Sequence, residues 1–156
     1  MESVIMADRI LIATDGSRYG QMAVDYGVRL AGRLGAEVIA LYVVSLKSLE
    51  IYALGHHDDI GGYAGADTAL KDEGERALAY VSSACKKAGV PVSTRMVRGY
   101  PADEIVRLAS DEGASMIVVG CLGKTGLEHL LLGSVSEAVV KMAPCPVLVV
   151  RGPASA

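Results

Sequence analysis

Three glycines set as Gly-x2-Gly-x9-Gly-Ser, running from Gly120 through Gly123 to Gly133-Ser134, carry the clearest chemical potential in this 156-residue chain. Glycine lets a backbone approach a ligand closely and adopt positive φ, and the N-terminal amides of a helix beginning near Ser134 present donors and a positive dipole end. Ser134 and Ser136 add hydroxyls and Lys124 a charge, so the segment has the makings of an anion site. A second reading stands beside it: Ser134 with Glu137 forms a capping box, in which the serine caps the helix and the glycines only make turns. The residues alone leave both open.

Two familiar phosphate-binding loops are excluded. Gly123-Lys124-Thr125 resembles the end of a P-loop, but Val118 stands where its first glycine belongs and the segment does not follow the first strand. The dinucleotide fingerprint fails too, because Asp15-Gly16-Ser17 supplies one glycine. Asp15 is a candidate ligand group, although Asp before Gly is also a common turn former. His56-His57-Asp58-Asp59 has metal-competent atoms, yet adjacent residues in a loop seldom converge on one ion, so a solvated loop is expected. Cys85, Cys121 and Cys145 form no Cys-x-x-Cys pair and read as reduced structural thiols, Cys121 as a small apolar filler rather than a redox site.

The elements that position these residues follow from the apolar pattern. Arg9 to Ala13 is a short apolar run ending at Thr14-Asp15-Gly16-Ser17, a strand buried on both faces, and apolar or small residues at 23, 27, 30, 31 and 34 then predict a helix stopped by Gly35. Val38 to Val44 is a second central strand. From 46 to 66 the periodicity fails among Gly55, Gly61, Gly62 and Gly65, which predicts a long flexible loop. Positions 70, 77, 81, 84 and 88 restore a helix, closed at Gly89-Val90-Pro91. Val92 to Val97 alternates like an edge strand, a helix runs from about Pro101 to Gly113, and Met116 to Val119 is a fourth strand delivering the chain to Gly120. Ser134 to Ala143 predicts the last helix and Pro146 to Val150 the fifth strand.

Alternating strands and helices with short links predict an α/β fold, a single open five-stranded parallel sheet with helices on both faces. Ligands in such sheets bind beyond the carboxyl ends of the strands, where strand order reverses. If strands one and four are neighbours, the Thr14–Ser17 and Gly120 turns face each other there. With 51% hydrophobic residues but seven Tyr and no Phe or Trp, the core is expected to be aliphatic. A formal net charge of −3 with mixed signs provides no basic field for nucleic acid. No apolar run reaches a membrane span, and Met1 to Ala7 lacks the features of a signal peptide, so a cytoplasmic protein is expected.

The glycine spacing, the Ala13-Thr14-Asp15-Gly16-Ser17 strand ending, Leu41-Tyr42-Val43, Arg98-Gly99-Tyr100-Pro101-Ala102 and Pro144 to Val150 together resemble the ATP-binding branch of the universal stress protein family. The resemblance covers nearly the whole chain, residues 1–156 as one domain, and implies an adenine nucleotide alpha hydrolase-like sheet of order 3-2-1-4-5. It implies that Ala13, Thr14 and Asp15 lie by the adenosine, with Asp15 near the ribose or a Mg²⁺-linked phosphate of ATP. The backbone of Val43 would read the adenine edge, and Gly120, Leu122, Gly123, Gly133, Ser134, Val135 and Ser136 would surround the phosphates. One departure stands out: Cys121-Leu122 replaces the family's usual Ser and basic or His residue, removing polar contacts worth roughly 1.5–3 kcal/mol each.

The fifth strand is too apolar for a solvated edge, and antiparallel pairing of residues 147–150 with a second copy is the simplest remedy. The family's usual dimer is similar. The expected function is therefore an ATP-binding regulatory protein of the stress response, working as a nucleotide-dependent dimeric switch. Its rivals are a slow ATPase or nucleotide hydrolase, and an interaction module without nucleotide. Against efficient hydrolysis, the glycine segment offers no evident general base, and the intervening turn is expected to carry His129 away.

Overall fold

The apolar runs pair side by side into one parallel sheet of order β3-β2-β1-β4-β5. The computed structural model describes residues 8–55, 60–124 and 130–153. In chain order the elements are β1 (Arg9–Ala13), α1 (Arg18–Leu34), β2 (Glu37–Ser45), α2 (Leu46–Gly55), α3 (Ile60–Ala88), β3 (Val92–Gly99), α4 (Pro101–Asp111), β4 (Met116–Gly120), α5 (Ser134–Met142) and β5 (Val147–Val150). β1 lies between β2 and β4, with Ile12 opposite both Ala40 and Val118. The strand order therefore reverses at β1, and the two turns expected to face one another do so.

Alternation along the strands feeds two cores. Ile10, Ile12, Val38, Ala40, Tyr42, Val44 and Val118 point toward α1, α2 and α3, where Val24, Val28, Leu49, Val81 and Cys85 meet them. Leu11, Ala13, Ile39, Leu41, Ile117 and Val119 point the other way, against Ile105 and Ala109 of α4 and Val139 of α5. Two apolar faces explain why β1, β2 and β4 read as continuous hydrophobic runs. Gly35 closes α1 in the left-handed conformation at φ 66°, as its place in the sequence predicts.

Two expectations are corrected. The core is not purely aliphatic, because Tyr42 is 2% exposed and is the largest of the fully buried side chains. It fits because α3 passes over it at Gly74, where a Cβ would come within 2.6 Å of its ring. The described residues of the 46–66 segment are likewise helical rather than a loop: α2 occupies Leu46–Gly55, and α3 begins at Ile60 and runs for 29 residues. Its glycines hide the period, while tertiary contacts supply what propensity lacks. Leu49 is buried, the Tyr100 hydroxyl donates to Glu50, and Arg98 and Lys71 both pair with Asp67. The His56-His57-Asp58-Asp59 cluster lies outside the described residues.

Candidate functional site

The site is built where β1 ends. Beyond Ala13, the Thr14 amide still donates to the Leu41 carbonyl at 3.0 Å, and the chain then turns away from the sheet. Asp15 Oδ1 fixes this turn, accepting from the Ser17 amide at 2.9 Å and the Ser17 hydroxyl at 2.5 Å. Gly16 completes it at φ 78°, and Ser17 caps α1 by accepting from the Gly20 amide. Asp15 thus has two roles divided between its oxygens. Oδ1 holds the turn, and Oδ2 faces Gly123, lying 3.0 Å from where a Cβ there would stand.

Because β2 continues to Ser45 while β1 stops opposite Leu41, β2 overhangs its neighbour. Backbone groups along a strand point alternately to its two sides. Leu41 bonds toward β1, so Val43, two residues on, directs its N–H and C=O into the space that β1 vacates. Val43 is half-buried and offers a backbone edge there.

From the other side comes the glycine segment. Gly120 ends β4 against α1 so closely that a Cβ would meet the Tyr19 carbonyl oxygen at 2.7 Å. Cys121 and Leu122 turn inward and are buried. The Cys121 carbonyl is the hub of the segment, accepting from the Gly133 amide at 2.7 Å and the Ser136 hydroxyl at 2.8 Å. Gly133 therefore returns beside Cys121, Leu122 and Gly123, where its own Cβ would find only ordinary contacts of 3.4 Å or more. α5 starts next to it, with a first helical bond from the Glu137 amide to the Gly133 carbonyl. The amides of Ser134, Val135 and Ser136 precede that bond and form the donor end of the helix.

This geometry is not the capping box that Ser134 and Glu137 offered as the second reading. Gly133, not Ser134, is the N-cap; no side chain caps the helix, and Ser134 is its exposed first residue. Ser136 also departs from a phosphate-facing hydroxyl: it is 3% exposed and its hydroxyl braces Cys121, leaving its amide at the helix end. The Cys121 side chain is buried, in keeping with an apolar filler. His129 lies outside the described residues, and among them no three His, Cys, Asp or Glu side chains converge as a metal-binding group.

The sequence offers Lys124 as a charge at the rim but does not reveal its partner, Glu73. Lys124 Nζ pairs with Glu73 Oε2 of α3 at 2.8 Å and stands 5.8 Å from the centroid of the Tyr42 ring. Burial raises the Tyr42 pKa above its ordinary value, aided by the nearby Glu73 and Asp15 carboxylates and opposed by the Lys124 ammonium. Burial pulls the Lys124 ammonium down, but Glu73 and Tyr42 more than offset it, so its pKa is raised. Glu73 stands 51 residues from Lys124, and nothing local marks it. Tyr42 carried the one available signal, a phenol in an otherwise apolar strand that needs a polar neighbour.

Comparison with known proteins agrees with this architecture. The pattern described as "Universal stress protein family" matches residues 6–151. The universal stress protein MJ0531 of Methanocaldococcus jannaschii is 42% identical over 145 residues, covering 93% of this chain and 82% of that protein. The solved structure of MJ0577, from the same organism, matches with a TM-score of 0.78 at 30% identity, over 97% of this chain and 100% of that one. A universal stress protein solved in complex with cAMP matches with a TM-score of 0.64 at 27% identity, over 93% of this chain and 97% of that one.

Proposed function

The chain belongs to the universal stress protein family, and from that premise we propose that it binds an adenine nucleotide, ATP with Mg²⁺, in the crevice between the β1 and β4 exits and works as a nucleotide-dependent dimeric switch. One observation carries the reading: Asp15 Oδ2, Gly123, Gly133 and the donor end of α5 come together at the point where strand order reverses. The similar protein solved with cAMP supports an adenine ligand for this fold.

Each part has a physical task. The overhanging Val43 backbone meets the adenine edge, with Ala13 and Thr14 forming the floor beside it. Asp15 Oδ2 accepts from the ribose or takes one position on Mg²⁺, whose remaining ligands are phosphate oxygens and water, the usual arrangement for this ion. Gly120, Leu122, Gly123 and Gly133 bring backbone close to the phosphates, and the amides of Ser134, Val135 and Ser136 donate to them. This backbone-based cradle compensates for the polar pair that Cys121 and Leu122 replace. α5 also leads directly into the β5 edge and exposes Val135, Val140 and Met142. Nucleotide at its N-terminus thereby bears on the edge expected to pair with a second copy.

The test is to purify the protein without added nucleotide, denature it and identify what is released by chromatography, followed by titration of the emptied protein with ATP. Released or titratable ATP supports the proposal. ADP with measurable turnover would make the protein a slow ATPase, and an empty site without titratable binding would make it an interaction module.

A further inference from the structure

We infer that Lys124 is a specificity-determining residue that reads the phosphate charge of the bound nucleotide, with Glu73 as the internal carboxylate it releases in doing so. The inference rests on the adenine-nucleotide reading above and adds which nucleotide the site prefers and what sets the preference. Lys124 directly follows Gly123, which abuts Asp15, while Glu73 Oε1 lies 3.6 Å from the Cβ position of Gly16. The Lys124–Glu73 pair therefore spans from the glycine segment to α3 across the Asp15-Gly16 turn, at the rim of the crevice.

The pair is suited to exchange. Its side chains are 40% and 35% exposed, and ion pairs so exposed contribute little to stability, so Lys124 can change partner at small cost. Among the described residues the cluster holds two carboxylates, Asp15 and Glu73, against one ammonium. A polyphosphate entering without Lys124 would face two like charges, whereas adenosine carries no charge, meets Asp15 only through its ribose hydroxyls, and is indifferent to Lys124 and Glu73. Lys124 also has a second anchor, the face of Tyr42, which keeps its stem at the rim when Glu73 lets go. Removing Lys124 should therefore penalise ligands in proportion to their phosphate charge, and neutralising Glu73 should do the opposite.

The experiment measures dissociation constants of adenosine, AMP, ADP and ATP by calorimetry at fixed ionic strength, with Mg²⁺ and with EDTA. Wild type, Lys124→Met and Glu73→Gln are compared as full chains. Lys124→Met should weaken ATP by about tenfold or more, the loss of one charge-assisted hydrogen bond, while adenosine stays within about twofold. Glu73→Gln, which removes the competitor without removing bulk, should tighten ATP by about two- to fivefold and leave adenosine unchanged. An unchanged ratio of ATP to adenosine affinity in both variants would overturn the inference while leaving the nucleotide site standing. Failure of wild type to bind either ligand would instead overturn the adenine reading, and this inference with it.

Discussion

Two glycines of the same motif should respond oppositely to the same substitution. Gly120→Ala places a Cβ 2.7 Å from the Tyr19 carbonyl oxygen and 2.8 Å from its carbon, both backbone atoms of α1. Neither can rotate aside, so α1 or β4 must shift, at a cost of about 1–3 kcal/mol for overpacking. Gly133→Ala meets nothing closer than the Cys121 oxygen at 3.4 Å, and its φ of −77° suits any residue. Alanine is a poorer N-cap than glycine by up to about 1 kcal/mol, but it also restricts the unfolded chain, a gain of roughly 0.4–1 kcal/mol. The net change should lie within about 1 kcal/mol. The fold thus has no steric need for glycine at 133, although a phosphate lying against that backbone would. Urea denaturation and ATP titration on both variants separate the two demands. Gly133→Ala should unfold near wild type yet bind ATP at least about tenfold more weakly, equivalent to about 1.4 kcal/mol. ATP affinity within twofold of wild type would refute the assignment of Gly133 to the phosphate cradle, and destabilisation equal to that of Gly120→Ala would refute the packing argument.

Two further outcomes follow from the fold. β5 is a half-buried apolar edge strand beyond β4, so the dimer proposed through it should give way to monomer or aggregate in sizing chromatography of Val149→Asp; an unchanged elution would refute pairing through β5. Burial pushes the Cys85 thiol from an ordinary value of 9.0 up to about 11, so the neutral thiol is favoured in the folded state. A raised folded pKa gives stability that is complete below pH 9 and lost as pH rises through 11, by up to about 2–3 kcal/mol. Cys85→Ala should flatten denaturation midpoints over that interval, and an equally steep alkaline loss in the variant would assign it to other groups.

Local sequence reached far into this protein. The runs at 9–13, 38–44 and 116–119 read as strands covered on both faces, Gly35 and Pro101 marked helix ends, and the glycine spacing with Asp15 pointed to the crevice. These are statements about short-range chemistry: periodicity, permitted φ and missing side chains. The same chemistry misled where glycines diluted the period. Leu46–Gly55 and the start of α3 are helical because of Leu49 in the core and the tethers from Tyr100, Arg98 and Lys71. Ser134 had the spacing to Glu137 that a cap needs, but the Glu137 amide donates to the Gly133 carbonyl instead, which places the cap one residue earlier.

What the amino-acid order determined by itself was the five strands, the helices other than α2 and the start of α3, their alternation into a parallel sheet and the motif with chemical potential, all read from periodicity, turn residues and spacing along the chain. Only the tertiary structure decided which glycine is crowded and which is free, that Asp15 divides its oxygens between turn and crevice, and that Lys124 meets Glu73 over Tyr42. Apart from the local bond from Ser17 to Asp15, those facts arise between residues from 12 to more than a hundred positions apart. Their distances are fixed by how α1 and α3 pack on the sheet, which no local pattern encodes.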